Sequence, residues 1–156
     1  MPRLLGIDYG LRRVGIALTD VDGTTAFGYT TLDAKKGNLL KEIARIVDEE
    51  MVKGFVLGLP LRTDTGEPGE MAKVVMAFAE ELRKAFPRFP VHFEDERFSS
   101  FAAAESLKAG GWVPGKDNKA DVDKAAARIL LQDYLNRIAE EVRKESLPLA
   151  EETEED

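Results

Sequence analysis

The chain has 156 residues and a mass of 17.3 kDa, the size of one domain, which argues against a two-domain enzyme with a separate cofactor module. Hydrophobic residues make up 44% of the sequence and charged residues 33%, a balance that excludes a disordered chain. With no cysteine and one histidine, the chain cannot build disulfides, cysteine zinc sites or histidine-rich metal sites. Any catalysis must therefore use carboxylates.

The net charge of −7 is concentrated at the end of the sequence. Residues 151–156 carry five acidic side chains, so residues 1–150 have a net charge of only −2. Terminal acidic runs are typical of disordered, solubilising tails. We therefore expect one folded domain over residues 1–146 and an acidic tail over residues 147–156. The alternative is a tail that competes with nucleic acid for a basic surface.

No apolar run approaches the roughly 20 residues that a membrane-spanning helix needs. The sequence leads from its first residues directly into a strand-like segment and has no pattern of a signal peptide. We therefore expect a soluble, cytoplasmic protein with no membrane partner.

Three short apolar segments at the start of the sequence predict an antiparallel meander of strands. Turn signals at Gly10 and at Asp22-Gly23 separate these segments. The predicted strands are residues 3–9, 14–20 and 25–32.

The remainder of the chain alternates helical and strand-like patterns. Apolar residues at three- and four-residue steps predict helices, and short continuous apolar runs predict buried strands. The predicted helices cover residues 39–51, 71–86 and 121–144, and the predicted strands cover 55–59 and 91–95. A short helix near Ser99 and a loop over residues 110–120 are also expected. Together these elements predict an α/β fold, with a mixed five-stranded sheet and helices on both faces.

Asp8 is the first residue whose chemistry is unusual for its position. It ends the apolar run Leu4-Leu5-Gly6-Ile7, where burial of a carboxylate costs several kcal/mol unless a cation compensates. Such a position favours a metal ligand or an ion pair. The alternative is a turn aspartate that bonds the hairpin backbone or pairs with Arg12.

Three consecutive acids, Glu94, Asp95 and Glu96, end the fifth predicted strand. Their repulsion favours a nearby cation, and alternation places Glu94 and Glu96 on the opposite face from Asp95. Sites in α/β sheets gather beyond the carboxyl ends of strands, where Glu96 lies. The alternative is that Glu94 and Asp95 are solvated at an exposed edge, while Glu96 pairs with Arg97 or caps the helix near Ser99.

Asp121 and Asp123 lie at the start of the last predicted helix, where acids commonly cap orphan amides. Asp123 is the less natural cap. It precedes the small pair Ala126-Ala127 by one turn, and small residues let a helix approach a sheet closely. Its carboxylate can then meet those of Asp8 and Glu96.

Basic side chains occupy the turns and helix ends around these acids and would suit a polyanion. Scattered surface charge is the alternative for each of them. The set comprises Arg12, Arg13, Arg62, Arg97, Lys108, Lys116, Lys119 and Lys124. His92 lies inside a predicted strand, which favours a packed residue over a general base.

Four motifs in order resemble those of one known family. They are Gly6-Ile7-Asp8-Tyr9-Gly10 with Val14-Gly15-Ile16-Ala17, Val56-Leu57-Gly58-Leu59-Pro60-Leu61, Asp95-Glu96-Arg97-Phe98-Ser99-Ser100, and Asp123-Lys124-Ala125-Ala126-Ala127. Their order and spacing resemble the YqgF (RuvX) family of bacterial nucleases over residues 3–138. The resemblance implies a ribonuclease H-like fold and a nuclease that depends on a divalent metal.

The resemblance also implies which residues form the site. The family's three acids correspond to Asp8, Glu96 and Asp123, with Asp95 and Asp121 as second choices. Carboxylate oxygens are hard ligands that suit Mg²⁺ or Mn²⁺, and two such ions can activate water and stabilise the leaving oxygen of a phosphodiester. We therefore expect a two-metal-ion nuclease in which these three acids are both catalytic and metal-binding.

The expected substrate is nucleic acid, and five basic residues are predicted to bind it. Arg97 or Arg62 would orient phosphate through bidentate hydrogen bonds. The predicted substrate-binding residues are Arg62, Arg97, Arg12, Lys116 and Lys119.

Members of the family are described both as processors of the 5′ end of precursor 16S ribosomal RNA and as resolvases of Holliday junctions. The body of the chain is not net basic, which favours RNA processing, with junction cleavage as the alternative. A resolvase normally acts as a dimer and an RNA-end processor can act as a monomer, so both states stay open.

Two further function classes compete with a nuclease. One is a non-catalytic nucleic-acid-binding module of ribosome assembly. The other follows from Asp8-Tyr9-Gly10 and Gly15, which resemble the phosphate-binding hairpin of actin-like ATPases. Those proteins need two such domains, and this chain has the length of one.

Overall fold

The computed structural model describes residues 2–61, 64–95 and 119–145, with only the backbone described for residues 119–121. The strands are β1 (Arg3–Tyr9), β2 (Arg13–Thr19), β3 (Ala26–Asp33), β4 (Val52–Leu59) and β5 (Val91–Asp95). The α-helices are α1 (Leu39–Glu50), α2 (Glu70–Ala85) and α3 (Lys119–Glu145), and a short 3-10 helix covers Ala34–Lys36. Within these ranges, no helix is both long and apolar enough to span a membrane.

The five strands form one sheet in the order β3-β2-β1-β4-β5. β1 pairs antiparallel with β2, and β2 pairs antiparallel with β3, as the predicted meander requires. β4 is parallel to β1, and β5 is parallel to β4. The mixed five-stranded sheet is therefore confirmed. Its topology brings the carboxyl ends of β1, β4 and β5 and the start of β2 to the same edge.

Alternation along β1 divides its side chains between two cores. Leu5 and Ile7 are fully buried in the larger core, against α1 and α2, and Tyr9 stacks on Phe78 of α2 with ring centroids 4.5 Å apart. Leu4 lies in the smaller core, against α3. Asp8 shares the face of Leu4, so the strand directs this carboxylate toward α3.

The face of the sheet that contacts α3 is built from small residues. A Cβ added at Gly6 would lie 2.9 Å from the Cβ of Leu131, and one added at Gly28 would lie 3.1 Å from the Cβ of Lys124. The close approach was expected from Ala126-Ala127 on the helix, and both alanines are buried. Glycines on the sheet are equally necessary for this contact.

Three predicted boundaries need correction. Met51 was placed on the apolar stripe of the first helix, but it follows α1 with a φ of 55° and is 70% exposed. Its left-handed conformation ends the helix, so the chain enters β4 at Val52, three residues earlier than predicted. Residues 119–120 were predicted as loop and are helical. The expected helix near Ser99 and the rest of the loop over 110–120 lie outside the described residues.

Candidate active site

A pocket of about 540 Å³ opens at the edge of the sheet where β1 ends and β2 begins. The hairpin between these strands forms one wall, and the first residues of α2 and α3 contribute the others. The lining residues are Asp8, Tyr9, Gly10, Leu11, Arg12, Arg13, Met71 and Asp123.

Gly15 explains how two distant aspartates come to share this pocket. It pairs with Asp8 in the register of β1 and β2. A Cβ at Gly15 would lie 2.1 Å from the carbonyl oxygen of Asp123, so only glycine permits the backbone of α3 to reach this point. Asp8 is half-buried, and Asp123 is 8% exposed. The structure thus brings two of the three predicted acids together.

Arg13 binds one of these aspartates directly. Its Nε donates a hydrogen bond to Oδ2 of Asp123 at 2.7 Å, with the side chains 40% and 11% exposed respectively. Asp123 is the fifth residue of α3, beyond the positions whose side chains cap a helix, so the capping alternative for it is wrong. The sequence indicated a basic residue at position 13, but not its pairing with an acid of the last helix.

Some of the remaining predicted site residues lie within the described ranges and others lie outside them. Arg12 is exposed and lines the pocket. Lys119 and Asp121 lie in the first turn of α3, with side chains that are not described. Four predicted residues lie outside the described ranges, and these are Arg62, Glu96, Arg97 and Lys116.

Glu94 is buried and not solvated, which makes the exposed-edge alternative wrong for this residue. Its side chain is 8% exposed, and Oε1 accepts hydrogen bonds from Nε of Arg137 at 3.1 Å and from Nη2 at 2.9 Å. The reason is that α3 covers this face of β5 and supplies the counterion. Asp95, the second-choice acid, ends β5 and is exposed.

His92 is a packed residue of the strand, in agreement with the prediction. Its ring centroid lies 5.3 Å from that of Tyr134 on α3. Burial, and then the charge of Arg137, hold the pKa of His92 below its ordinary value. The imidazole is therefore neutral near pH 7 and belongs to the contact between β5 and α3.

A second pocket, of about 570 Å³, adjoins the first and shares two residues with it. We call it the β3 groove, and its lining residues are Arg12, Arg13, Thr31, Leu32, Asp33 and Lys35. The amide of Ala34 donates to the carbonyl of Arg12 at 2.9 Å, which ties the 3-10 helix to the hairpin. Lys35 was missed by the sequence analysis, because only the antiparallel pairing of β2 and β3 brings it beside Arg12.

The donor chemistry of the first pocket fits a hard divalent cation. Asp8 and Asp123 offer carboxylate oxygens, which Mg²⁺ and Mn²⁺ prefer, and the sequence contains no cysteine that could supply a thiolate. No group of three or more acids or histidines placed to hold a metal occurs among the described residues. The third predicted ligand, Glu96, lies outside them.

Comparison with known families identifies the family of this chain. The model of the RuvX family, which is described as Holliday junction resolvase, matches residues 2–137. The chain belongs to the RuvX family. The resemblance expected from the four sequence motifs is therefore confirmed.

Curated relatives of this RuvX chain are named as nucleases. A protein of Phocaeicola vulgatus is 42% identical over 137 residues, which cover 86% of this chain and 96% of the relative. A protein of Chloroflexus aurantiacus is 42% identical over 134 residues, which cover 85% of this chain and 86% of the relative. Both carry the provisional name pre-16S rRNA nuclease. Family and relatives together identify the RuvX chain as a nuclease.

Solved structures of two resolvases share the fold of this RuvX chain. RuvC of T. thermophilus, in complex with a Holliday junction substrate, superposes with a TM-score of 0.54 at 15% identity and covers 89% of this chain and 96% of its own. The Fowlpox virus resolvase, in complex with Holliday junction DNA, gives 0.55 at 13% identity, with 87% and 98% covered. The RuvX chain therefore has a ribonuclease H-like fold.

Proposed function

We propose that this RuvX chain is a divalent-metal-dependent nuclease that hydrolyses phosphodiester bonds during 5′-end processing of pre-16S ribosomal RNA. The observation that carries the proposal is the convergence of Asp8 and Asp123 in one open pocket beside Arg12. Two carboxylates beside a cationic side chain suit a site that holds metal and receives a phosphate. The names of the curated relatives support the RNA substrate.

In this proposal, Asp8, Asp123 and Glu96 hold Mg²⁺ or Mn²⁺. The bound ions would lower the pKa of the attacking water and offset the charge on the leaving oxygen. Asp8, directed toward α3 from the end of β1, would supply carboxylate oxygens to this metal site. The contact at Gly15 holds the backbone of Asp123 in place, so this carboxylate is positioned before substrate arrives.

The β3 groove supplies a path for the substrate strand. A polynucleotide that is cut in the first pocket must extend beyond it, and the adjoining groove offers the side chains of Arg12 and Lys35 to its phosphates. Arg62, Arg97, Lys116 and Lys119 keep their proposed roles as further phosphate contacts. The site would act in the cytoplasm, where bacterial ribosomes are assembled.

Cleavage of Holliday junctions is the second candidate function. The description of the family model favours it, and the fold is shared with resolvases bound to such junctions. A resolvase would act as a homodimer, because two strands must be cut symmetrically. An RNA-end processor can act as a monomer.

The deciding experiment incubates the purified protein and the Asp8→Asn variant with pre-16S ribosomal RNA and with a four-way DNA junction, in Mg²⁺ and in Mn²⁺. We expect metal-dependent cleavage near the 5′ end of the RNA by the native protein and none by the variant. Paired symmetric cuts in the junction, with intact RNA, would favour the resolvase. Binding of RNA by both proteins without cleavage would identify a non-catalytic assembly module.

A further inference from the structure

Arg13 places a positive charge on a carboxylate that the proposed function reserves for a metal. The pair joins the start of β2 to the start of α3, and the carboxylate of Asp123 is almost fully buried. A buried carboxylate is stable only with a countercharge, and a guanidinium hydrogen bond at 2.7 Å supplies one. Arg13 therefore does in the metal-free protein part of what a cation would do.

Asp123 cannot avoid this competition by moving. Its carbonyl oxygen lies against the backbone of Gly15, at a distance that excludes even a methyl group. Gly15 is paired in turn with Asp8 in the centre of the sheet. The backbone of Asp123 therefore stays at the pocket, and within this ion pair Arg13 has the longer and more flexible side chain.

Arg13 has both the freedom and the room to leave. Its side chain is 40% exposed, compared with 11% for Asp123. It also lines the β3 groove, so a second cavity adjoins the pocket on its other side. A guanidinium released from Asp123 can reach solvent or a phosphate in that groove.

We infer that Arg13 is a positioning residue that acts as an exchangeable counterion of Asp123. It stabilises the metal-free site, and it lowers the affinity of the site for a divalent cation, because a cation that binds Oδ2 of Asp123 must displace its guanidinium. This inference rests on the proposed function, since it assumes that Asp123 binds the metal.

The test is a calorimetric titration of Mn²⁺ into the native protein and into three variants. Arg13→Gln removes the competing charge, and we expect it to bind Mn²⁺ about tenfold more tightly, the order of effect of a charge-assisted hydrogen bond. Without metal, Arg13→Gln should melt at a lower temperature than the native protein. Adding Mn²⁺ should raise its melting temperature by more than it raises that of the native protein. Arg12→Gln is the matched control, because Arg12 lines the same pocket and its loss changes the net charge equally. We expect its affinity for Mn²⁺ to change by less than about twofold, as for an exposed charge.

The third variant, Asp8→Asn, separates the two ways to fail. If native protein and Asp8→Asn bind Mn²⁺ identically, the proposed metal site is wrong and the inference falls with it. If binding depends on Asp8 but Arg13→Gln binds no more tightly than the native protein, the inference alone is overturned. Equal tightening in Arg12→Gln and Arg13→Gln would also overturn it, since general charge would then explain the effect.

A measurement on the native protein covers the case in which Arg13→Gln does not fold. With ¹⁵N-labelled arginine, the Nε–H signal of Arg13, assigned through Arg13→Lys, should exchange slowly with water in the absence of metal because it is hydrogen-bonded. Adding Mg²⁺ should speed its exchange and leave the signal of Arg12 unchanged. A signal of Arg13 that Mg²⁺ leaves slow while Mg²⁺ binds at Asp8 would contradict the inference.

Discussion

Asp8 and Asp123 lie in the same pocket, but different contacts hold them in position. Asp8 is the penultimate residue of an internal strand. It pairs with Gly15 of β2, and the residue before it, Ile7, pairs with Leu57 of β4. Asp123 lies on a helix, and its position depends on the contact with Gly15 and on the ion pair with Arg13. The two aspartates should therefore respond differently to the same substitution.

Asp8→Asn and Asp123→Asn should each lower nuclease activity by at least about 100-fold. Mutating a residue that only orients a metal ligand already costs up to about 100-fold in activity, and losing the ligand itself should cost at least as much. Asp123→Asn should also lose about 1 kcal/mol of stability, since its ion pair involves a partly exposed arginine. Activity assays and urea unfolding check both effects. Asp48→Asn, an exposed change on α1, is the control and should alter neither.

Lys35→Gln tests the β3 groove as a path for nucleic acid. Each phosphate contact that is lost should reduce the slope of log affinity against log salt by about 0.7 for a single strand. Binding should therefore weaken most at low salt. Lys84→Gln removes the same charge from the last turn of α2 and should leave the slope unchanged. Equal effects of the two variants would argue against a specific path.

At the scale of elements, the contact of α3 with the sheet determines whether the pocket exists. Glycines on three strands allow the approach, and the pair formed by Glu94 and Arg137 connects the far end of the sheet to the same helix. The helix therefore contacts the sheet from β3 to β5. A change at either end of this contact should act on the whole helix.

Gly15→Ala should be far more disruptive than Gly28→Ala. The first methyl group would meet the carbonyl oxygen of Asp123 at 2.1 Å, whereas the second would meet the Cβ and the carbonyl oxygen of Lys124 at 3.1 and 3.2 Å. Overpacking of this kind costs roughly 1–3 kcal/mol, so we expect the upper end or more for Gly15 and the lower end for Gly28. Urea unfolding and activity assays would measure the stability and activity of both variants. Equal losses of stability in the two variants would show that α3 can shift to accommodate a methyl group at either position.

The contact between β5 and α3 should also make stability depend on pH. Burial and Arg137 hold the pKa of His92 below its ordinary value of 6.5 in the folded state. Its contribution to stability is therefore complete above about pH 6.5 and is lost as the pH falls through the lower, folded-state pKa. His92→Gln should flatten this acid-side decline in unfolding experiments. Arg137→Met should raise the pKa of His92, which an NMR titration would show.

At the scale of the whole molecule, charge is distributed unevenly. The net charge is −7, yet arginine and lysine side chains line the pocket and the β3 groove. Long-range repulsion therefore opposes the approach of nucleic acid, while short-range contacts favour it. The acidic residues at 151–156 contribute much of that repulsion.

Deleting residues 147–156 should leave the fold intact and strengthen nucleic-acid binding at low salt. The deletion changes the net charge from −7 to −2 and touches none of the proposed metal ligands. The gain should fade toward physiological salt, where the Debye length is about 8 Å. Binding curves across salt concentrations test this. A lower melting temperature would show that the tail is packed, and a gain independent of salt would show a specific contact.

The patterns that the sequence analysis used are local, and they were reliable for local structure. Short apolar runs and three-to-four-residue apolar spacings predicted the strands and α-helices of the described ranges in the right order. The left-handed conformation of Met51 had no local signal, because methionine there suits a helix as well as its end. The motif of Asp8 and that of Asp123 indicated the two acids now found in one pocket, although their catalytic roles stay predictions.

By itself, the sequence determined the α/β class, the order of elements and the RuvX membership, since these follow from patterns within short segments. The tertiary structure alone decided which basic side chains accompany the acids and each other. Arg13 binds Asp123, Arg137 neutralises Glu94, and Lys35 joins Arg12 in one groove. Each of these contacts depends on the strand order and register of the sheet, which bring together residues that are distant in the chain. The local sequence around each residue gives no signal of its partner.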